Sequence, residues 1–177
     1  MNLPNIITIF RMILIPIFIY VFHSDIENSL LWSGLIFLVA GISDVADGYI
    51  ARKYNLTSKF GAILDPLADK LMSFTVLSTY TFVGLIPVWI LILLTIKELL
   101  LIIGGGTLFF IKENIVIPAN KFGKIATFSF YISIFSIVFN STDKLINFLL
   151  TITVVINIIA FINYLKIYIS IKREKVQ

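Results

Sequence analysis

The chain has 177 residues, 59% of them hydrophobic and 14% charged, where a soluble domain carries about 25% charged residues. Water is therefore not its main solvent, and the formal charge of +4 belongs to connections between apolar runs, which argues for membrane orientation and against a nucleic-acid partner. With no cysteine and one histidine, His23, disulfides, thiolate metal sites and a cysteine nucleophile are excluded, so any metal must sit on oxygen or on that imidazole.

Pro4, Asn5 and Thr8 open a first apolar run, Ile6 to Phe22, which lacks a small-residue cleavage site and reads as a retained span. A polar turn from His23 to Ser29 follows. The second run starts near Leu30, stays apolar to Ile42, and continues through Asp44 and Asp47 to Ala51 before a polar linker from Arg52 to Lys59. Four more runs follow, at Gly61 to Val83, Pro87 to Ile111, Phe122 to Phe139, and Lys144 to about Ile171. They approach or reach the length a helix needs to cross hydrocarbon and show no period-two alternation. The expectation is an all-α polytopic membrane protein, six transmembrane helices in one bundle, forming a single membrane domain over residues 1–177. Arg52, Lys53 and Lys59, then Lys112, Lys121 and Lys124, then Lys172, Arg173 and Lys175 all fall on one side. The other side carries only Lys144, which places both termini in the cytoplasm of a cell-membrane protein, with the basic tail against anionic membrane lipids.

Asp44, Asp47, Asp65 and Asp69 lie on the second and third runs or at their cytoplasmic ends, and an aspartate at a helix centre costs about 2.5–3.5 kcal/mol on insertion. Their spacing supplies a reason. Asp44, Asp47, Gly48 and Ala51 stand at i, i+3, i+4 and i+7, and Gly61, Asp65 and Asp69 at i, i+4 and i+8, so each helix presents carboxylates and small residues on one face. Two such faces joined by a short basic loop make a hard-cation site in which two divalent ions would neutralise four mutually repelling charges. Salt bridges to Arg52, Lys53, Lys59 or Lys70 are the plainer alternative, but they leave the one-sided spacing and the glycines unexplained. Pro66 leaves open whether Asp65 lies inside a helix or caps a restarted one.

Residues 44–69 read DVADGYIARKYNLTSKFGAILDPLAD. They match D-x2-D-G-x2-A-R-x8-G-x3-D-x3-D at every fixed position, and on this the chain resembles the CDP-alcohol phosphatidyltransferase family. The resemblance implies six helices, a cytoplasmic site, a homodimer, and transfer of a phosphatidyl group from CDP-diacylglycerol to an alcohol with two Mg2+ or Mn2+ ions. It also implies that Asp44, Asp47 and Asp65 are metal ligands, with Asp69 completing the metal site and acting as the catalytic general base. Gly48, Ala51, Arg52 and Gly61 then fall where the family holds the cytidine diphosphate part of the donor, beside Asp44, Asp47 and Asp65. For Arg52 a second reading stays open, since topology alone also places a cation there.

The opening NLPNIITIFRMILIP is similar to that of bacterial members whose acceptor is sn-glycerol 3-phosphate. Such an anion needs cations, and Arg11, Lys97 and Lys124 are the candidates. Lys97 precedes Glu98 where those members have an Arg-Glu pair, which forfeits bidentate geometry, and IPANKFGKIATF is also similar to members that accept phosphatidylglycerol. The structural alternatives are a Lys97 pairing with Glu98 or with a carboxylate across the bundle, and helix-end topology for Arg11.

A small cation transporter is the competing class, but its acids should be distributed through the membrane depth, and beyond Asp69 the later spans offer only Glu98. His23 reads as a solvated residue away from the aspartates, Gly104-Gly105-Gly106 as a helix-packing surface, and Trp32 and Trp89 as interfacial anchors.

Overall fold

The computed structural model describes residues 3–53, 61–111 and 121–174, which form six α-helices. These are α1 (Leu3–Phe22), α2 (Ser29–Lys53), α3 (Gly61–Phe82), α4 (Val88–Ile111), α5 (Lys121–Val138) and α6 (Asp143–Glu174). Ser29–Ile50, Val88–Gly106, Lys121–Val138 and Asp143–Ser170 are long and apolar enough to cross a membrane, and Ile6–Phe22 is a shorter apolar helix. The third expected span stands apart because Asp65, Asp69 and Lys70 crowd its first half and Ser73, Thr75, Ser78, Thr79 and Thr81 its second. Helix α3 nevertheless runs unbroken across position 66, so Asp65 lies inside it.

The helices group into two compact units, Met1–Ile86 and Pro87–Gln177. In the first, α1 packs on both α2 and α3. Thr8, Arg11, Leu14 and Phe18 are buried at three- and four-residue steps along α1, whereas Ile6, Ile9, Ile13 and Ile17 are exposed, so one stripe meets protein and the rest suits lipid. On α2 the buried stripe is Ser33, Phe37, Ala40 and Asp47, and on α3 it is Ala68, Met72, Val76 and Tyr80. Phe18 stacks on Tyr80 with ring centroids 6.4 Å apart, and Phe22 lies 5.4 Å from the same ring. These aromatic contacts fix the end of the unit remote from the aspartates. The α1–α2 connection turns at Asn28 (φ 59°). After α3 the chain turns at Gly84 (φ 81°), a left-handed position that a side chain would strain, with Leu85 N–H donating back to the Tyr80 carbonyl.

In the second unit α6 packs on α5 and on α4. Ala126, Phe130, Ile134 and Ile137 of α5 are buried, as are Leu150, Val154 and Ala160 of α6. Among them Ser133 and Thr153 share a buried hydroxyl–hydroxyl hydrogen bond of 2.8 Å. Such bonds inside membrane proteins contribute about 0.6 kcal/mol on average, so Thr153→Val is expected to change unfolding free energy in detergent by less than about 1 kcal/mol. Two of the three glycines lie against α6: a Cβ at Gly104 would stand 3.5 Å from the Tyr164 ring and one at Gly105 3.5 Å from its hydroxyl, which donates to the Leu101 carbonyl at 3.4 Å, while one at Gly106 would meet nothing within 4 Å.

Candidate active site

The face of α2 that buries Ser33, Phe37 and Ala40 against its neighbours continues, three to four residues at a time, through Asp44 to Asp47. The two carboxylates therefore sit on the packed side of the helix and not on its lipid side, where Ile42, Val45 and Tyr49 are exposed. Opposite them on α1 stands Arg11, 1% exposed and the largest fully buried side chain described. Its two terminal nitrogens divide between the carboxylates, Nη1 donating to Asp44 Oδ1 at 2.7 Å and Nη2 to Asp47 Oδ2 at 2.5 Å. The same guanidinium reaches Ser43 Oγ through Nε and the Asp65 carbonyl through Nη1, each at 3.5 Å. One turn earlier on α1, the Thr8 hydroxyl donates to Asp65 Oδ1.

Helix α3 supplies the other two carboxylates. Arg11, which reaches the Asp65 carbonyl as well as the Asp44 and Asp47 carboxylates, ties the acidic faces of α2 and α3 together. Lys70 forms an ion pair with Asp69 at 3.5 Å. This is the one expected salt bridge to a lysine that the described contacts contain. Access differs along the cluster: the Asp47 side chain is 4% exposed and that of Asp44 40%, so the site is closed on the Arg11 side and open at Asp44. Gly48 is half-buried beside Asp47. The side chains at Ala51 and Arg52, and the surroundings of Gly61, lie outside the described residues.

The cations expected to meet an acceptor phosphate divide between the units. Arg11 belongs to the acidic cluster. Lys97 Nζ pairs with Glu98 Oε1 at 2.5 Å and donates to Asn157 Oδ1 on α6 at 2.9 Å, so its pairing with Glu98 is present, while its contact across to α6 is with an amide and not a carboxylate. Lys124 is exposed near the start of α5. His23 is exposed, its ring edge-on to Phe22, and Trp32 and Trp89 are about half exposed.

Sequence reasoning missed the Arg11 bridge and the Thr8 contact. Their signal is the spacing of Thr8, Arg11, Leu14 and Phe18, which puts the arginine on the stripe that packs and not on the one facing lipid.

Carboxylates from two neighbouring helices, gathered toward one end of them, define an acidic site in a helical membrane protein. The chain belongs to the CDP-alcohol phosphatidyltransferase family, whose model matches residues 1–162. A protein of Aquifex aeolicus named CDP-diacylglycerol–glycerol-3-phosphate 3-phosphatidyltransferase is 37% identical over 166 residues, covering 92% of this chain and 89% of that protein. One of the same name from Wigglesworthia glossinidia brevipalpis is 32% identical over 178 residues, covering 95% and 93%. A Mycobacterium tuberculosis protein named "Putative cardiolipin synthase" is 35% identical over 145 residues, covering 82% and 68%.

The family is generally dependent on divalent metal ions. The donor set fits hard cations, since four aspartates offer oxygen alone. Among the described residues no three acidic or histidine side chains stand close enough to share one ion; Arg11 draws Asp44 and Asp47 toward α1, and Thr8 holds Asp65.

Proposed function

We propose that the chain transfers the phosphatidyl group of CDP-diacylglycerol to sn-glycerol 3-phosphate, yielding phosphatidylglycerophosphate and CMP. The observation that carries this reading is the convergence of Arg11 on the Asp44 and Asp47 carboxylates and the Asp65 carbonyl, which brings together acids of α2 and α3 that stand at positions of the family's acidic motif. The near full-length relatives bearing the corresponding name support the choice of donor and acceptor.

In this reading Asp44, Asp47 and Asp65 hold two Mg2+ or Mn2+ ions and Asp69 completes their site. When bound, the ions supply Lewis-acid polarisation of the donor's diphosphate and neutralise charge on the departing CMP. Asp69 takes the proton of the acceptor hydroxyl, whose oxygen forms the new bond to the phosphatidyl phosphorus as the bond from that phosphorus to the CMP oxygen breaks. Asp69 suits this role: its side chain is 21% exposed, so the proton can pass onward to water. Gly48 leaves room for close approach of the diphosphate, and Ala51, Arg52 and Gly61 complete the nucleotide contact. Lys124, exposed near the start of α5, attracts the acceptor's phosphate as a point charge, whereas the Lys97 charge is met by Glu98. The lysine and arginine asymmetry puts the site and both termini in the cytoplasm, and the protein works as a homodimer.

The test is an assay of purified protein with CDP-diacylglycerol, Mg2+ or Mn2+, and a panel of acceptors, following CMP release and the mass of the new lipid. The expected result is phosphatidylglycerophosphate with glycerol 3-phosphate, loss of turnover in EDTA, and recovery on returning either metal. A cardiolipin product from phosphatidylglycerol would favour the reading suggested by the mycobacterial relative. No turnover with any acceptor would remove the enzyme assignment.

A further inference from the structure

Arg11 places a permanent positive charge where a metal-dependent site would be expected to keep its carboxylates free. A guanidinium does not deprotonate in proteins, and this one is 1% exposed, so its charge cannot be relieved by water or by titration. One fork spans two carboxylates a helical turn apart on α2, while its third nitrogen reaches Ser43 and Nη1 also reaches the Asp65 carbonyl. The side chain is thus held from two helices, in an orientation matched to the acids.

We propose that Arg11 is a positioning residue that serves as a built-in counter-cation: it holds Asp44 and Asp47 in register in the metal-free protein and keeps their affinity for divalent metal low until the anionic donor arrives. This rests on the metal-dependent reading above. Arg11 and Lys70 pair with three of the four carboxylates, and Thr8 holds the fourth, that of Asp65; two positive charges already stand against four negative ones, so adding two dications overshoots neutrality, and the donor's dianionic diphosphate restores it. In a partly buried site such imbalance is weakly screened. Metal and nucleotide therefore favour each other's binding, and by linkage the coupling is reciprocal. The acids stay assembled without metal, and the ions are retained chiefly when there is a substrate for them to activate.

The opposite expectation follows if Arg11 only supports the fold. Removing it would then loosen the carboxylates and weaken metal binding, whereas removing a restraining charge strengthens it. The experiment measures Mn2+ binding to the full chain in detergent micelles by electron paramagnetic resonance, with and without CDP as the soluble probe of the donor headgroup. Wild type is expected to bind Mn2+ about tenfold more tightly with CDP than without. Arg11→Gln is expected to bind Mn2+ alone about tenfold more tightly than wild type, with the gain from CDP reduced. Arg11→Lys keeps the charge and is expected to retain weak binding of Mn2+ alone.

Equal or weaker Mn2+ binding by Arg11→Gln overturns the proposal. So does a wild-type affinity unchanged by CDP, a measurement that needs no variant and stands even if Arg11→Gln fails to fold. Mn2+ bound by neither protein, with or without CDP, removes the metal-dependent function itself, whereas CDP-independent Mn2+ binding removes only the role given to Arg11.

Discussion

Asp69→Asn is expected to lower turnover by about 10²–10⁴-fold, the usual contribution of a positioned general base, while CDP binding measured by calorimetry stays within a few-fold of wild type. The asparagine is nearly isosteric, so it keeps the shape of the α3 face and an oxygen directed at the site, but it cannot take a proton. Asp69 is the member of the cluster that neither Arg11 nor Thr8 engages in the described contacts; its partner there is Lys70, at 3.5 Å. Asp44 and Asp47 are held on α2 through Arg11, and Asp65 is held on α3 through Thr8, so the loss of one carboxylate leaves the donor's binding place standing. The check is a paired measurement of turnover at saturating donor and of CDP affinity in the presence of Mn2+. Parallel loss of both would mark Asp69 as chiefly a ligand and move the base elsewhere.

How far this site could be read in advance depended on whether its geometry is local. The aspartate spacing is a property of single helices: Asp44 and Asp47 lie a turn apart, as do Asp65 and Asp69, and helical periodicity alone puts each pair on one face. Six helices with nearly the expected limits followed from the apolar runs for the same reason. The partner of those faces is not local. Arg11 lies 33 residues from Asp44 and 36 from Asp47, and nothing in spacing along α2 reveals which neighbour supplies a counter-charge. The opening segment makes Arg11 a candidate cation for an anionic acceptor or a helix-end charge; the fold sets it between the Asp44 and Asp47 carboxylates. Lys97 shows the same limit from the other side. Its pairing with adjacent Glu98 was legible as an alternative, but the hydrogen bond to Asn157, 60 residues away, depends on how α6 lies on α4.

The acids proposed to serve the chemistry also carry part of the fold, and the two roles separate on substitution. Replacing Asp44 and Asp47 together by asparagine strands the Arg11 guanidinium in a site where it is 1% exposed. Removing the partner of a buried charge costs about 3–5 kcal/mol, most of it here from the Asp47 arm, because the Asp44 side chain is 40% exposed and its share is screened. The double variant is therefore expected to melt well below wild type, measured by thermal unfolding in detergent with EDTA present so that metal binding does not contribute. Adding Arg11→Gln to it removes the stranded charge and lets amide hydrogen bonds take the place of the ion pairs. The triple variant is expected to regain most of the lost stability, since a buried ion pair replaced as a unit is often close to neutral, and to remain without turnover. A double variant as stable as wild type would mean that the guanidinium finds other partners and that the acids are free of structural duty. Recovery of activity in the triple variant would mean that Asp44 and Asp47 are dispensable to the reaction, and the proposed chemistry would lose its metal ligands.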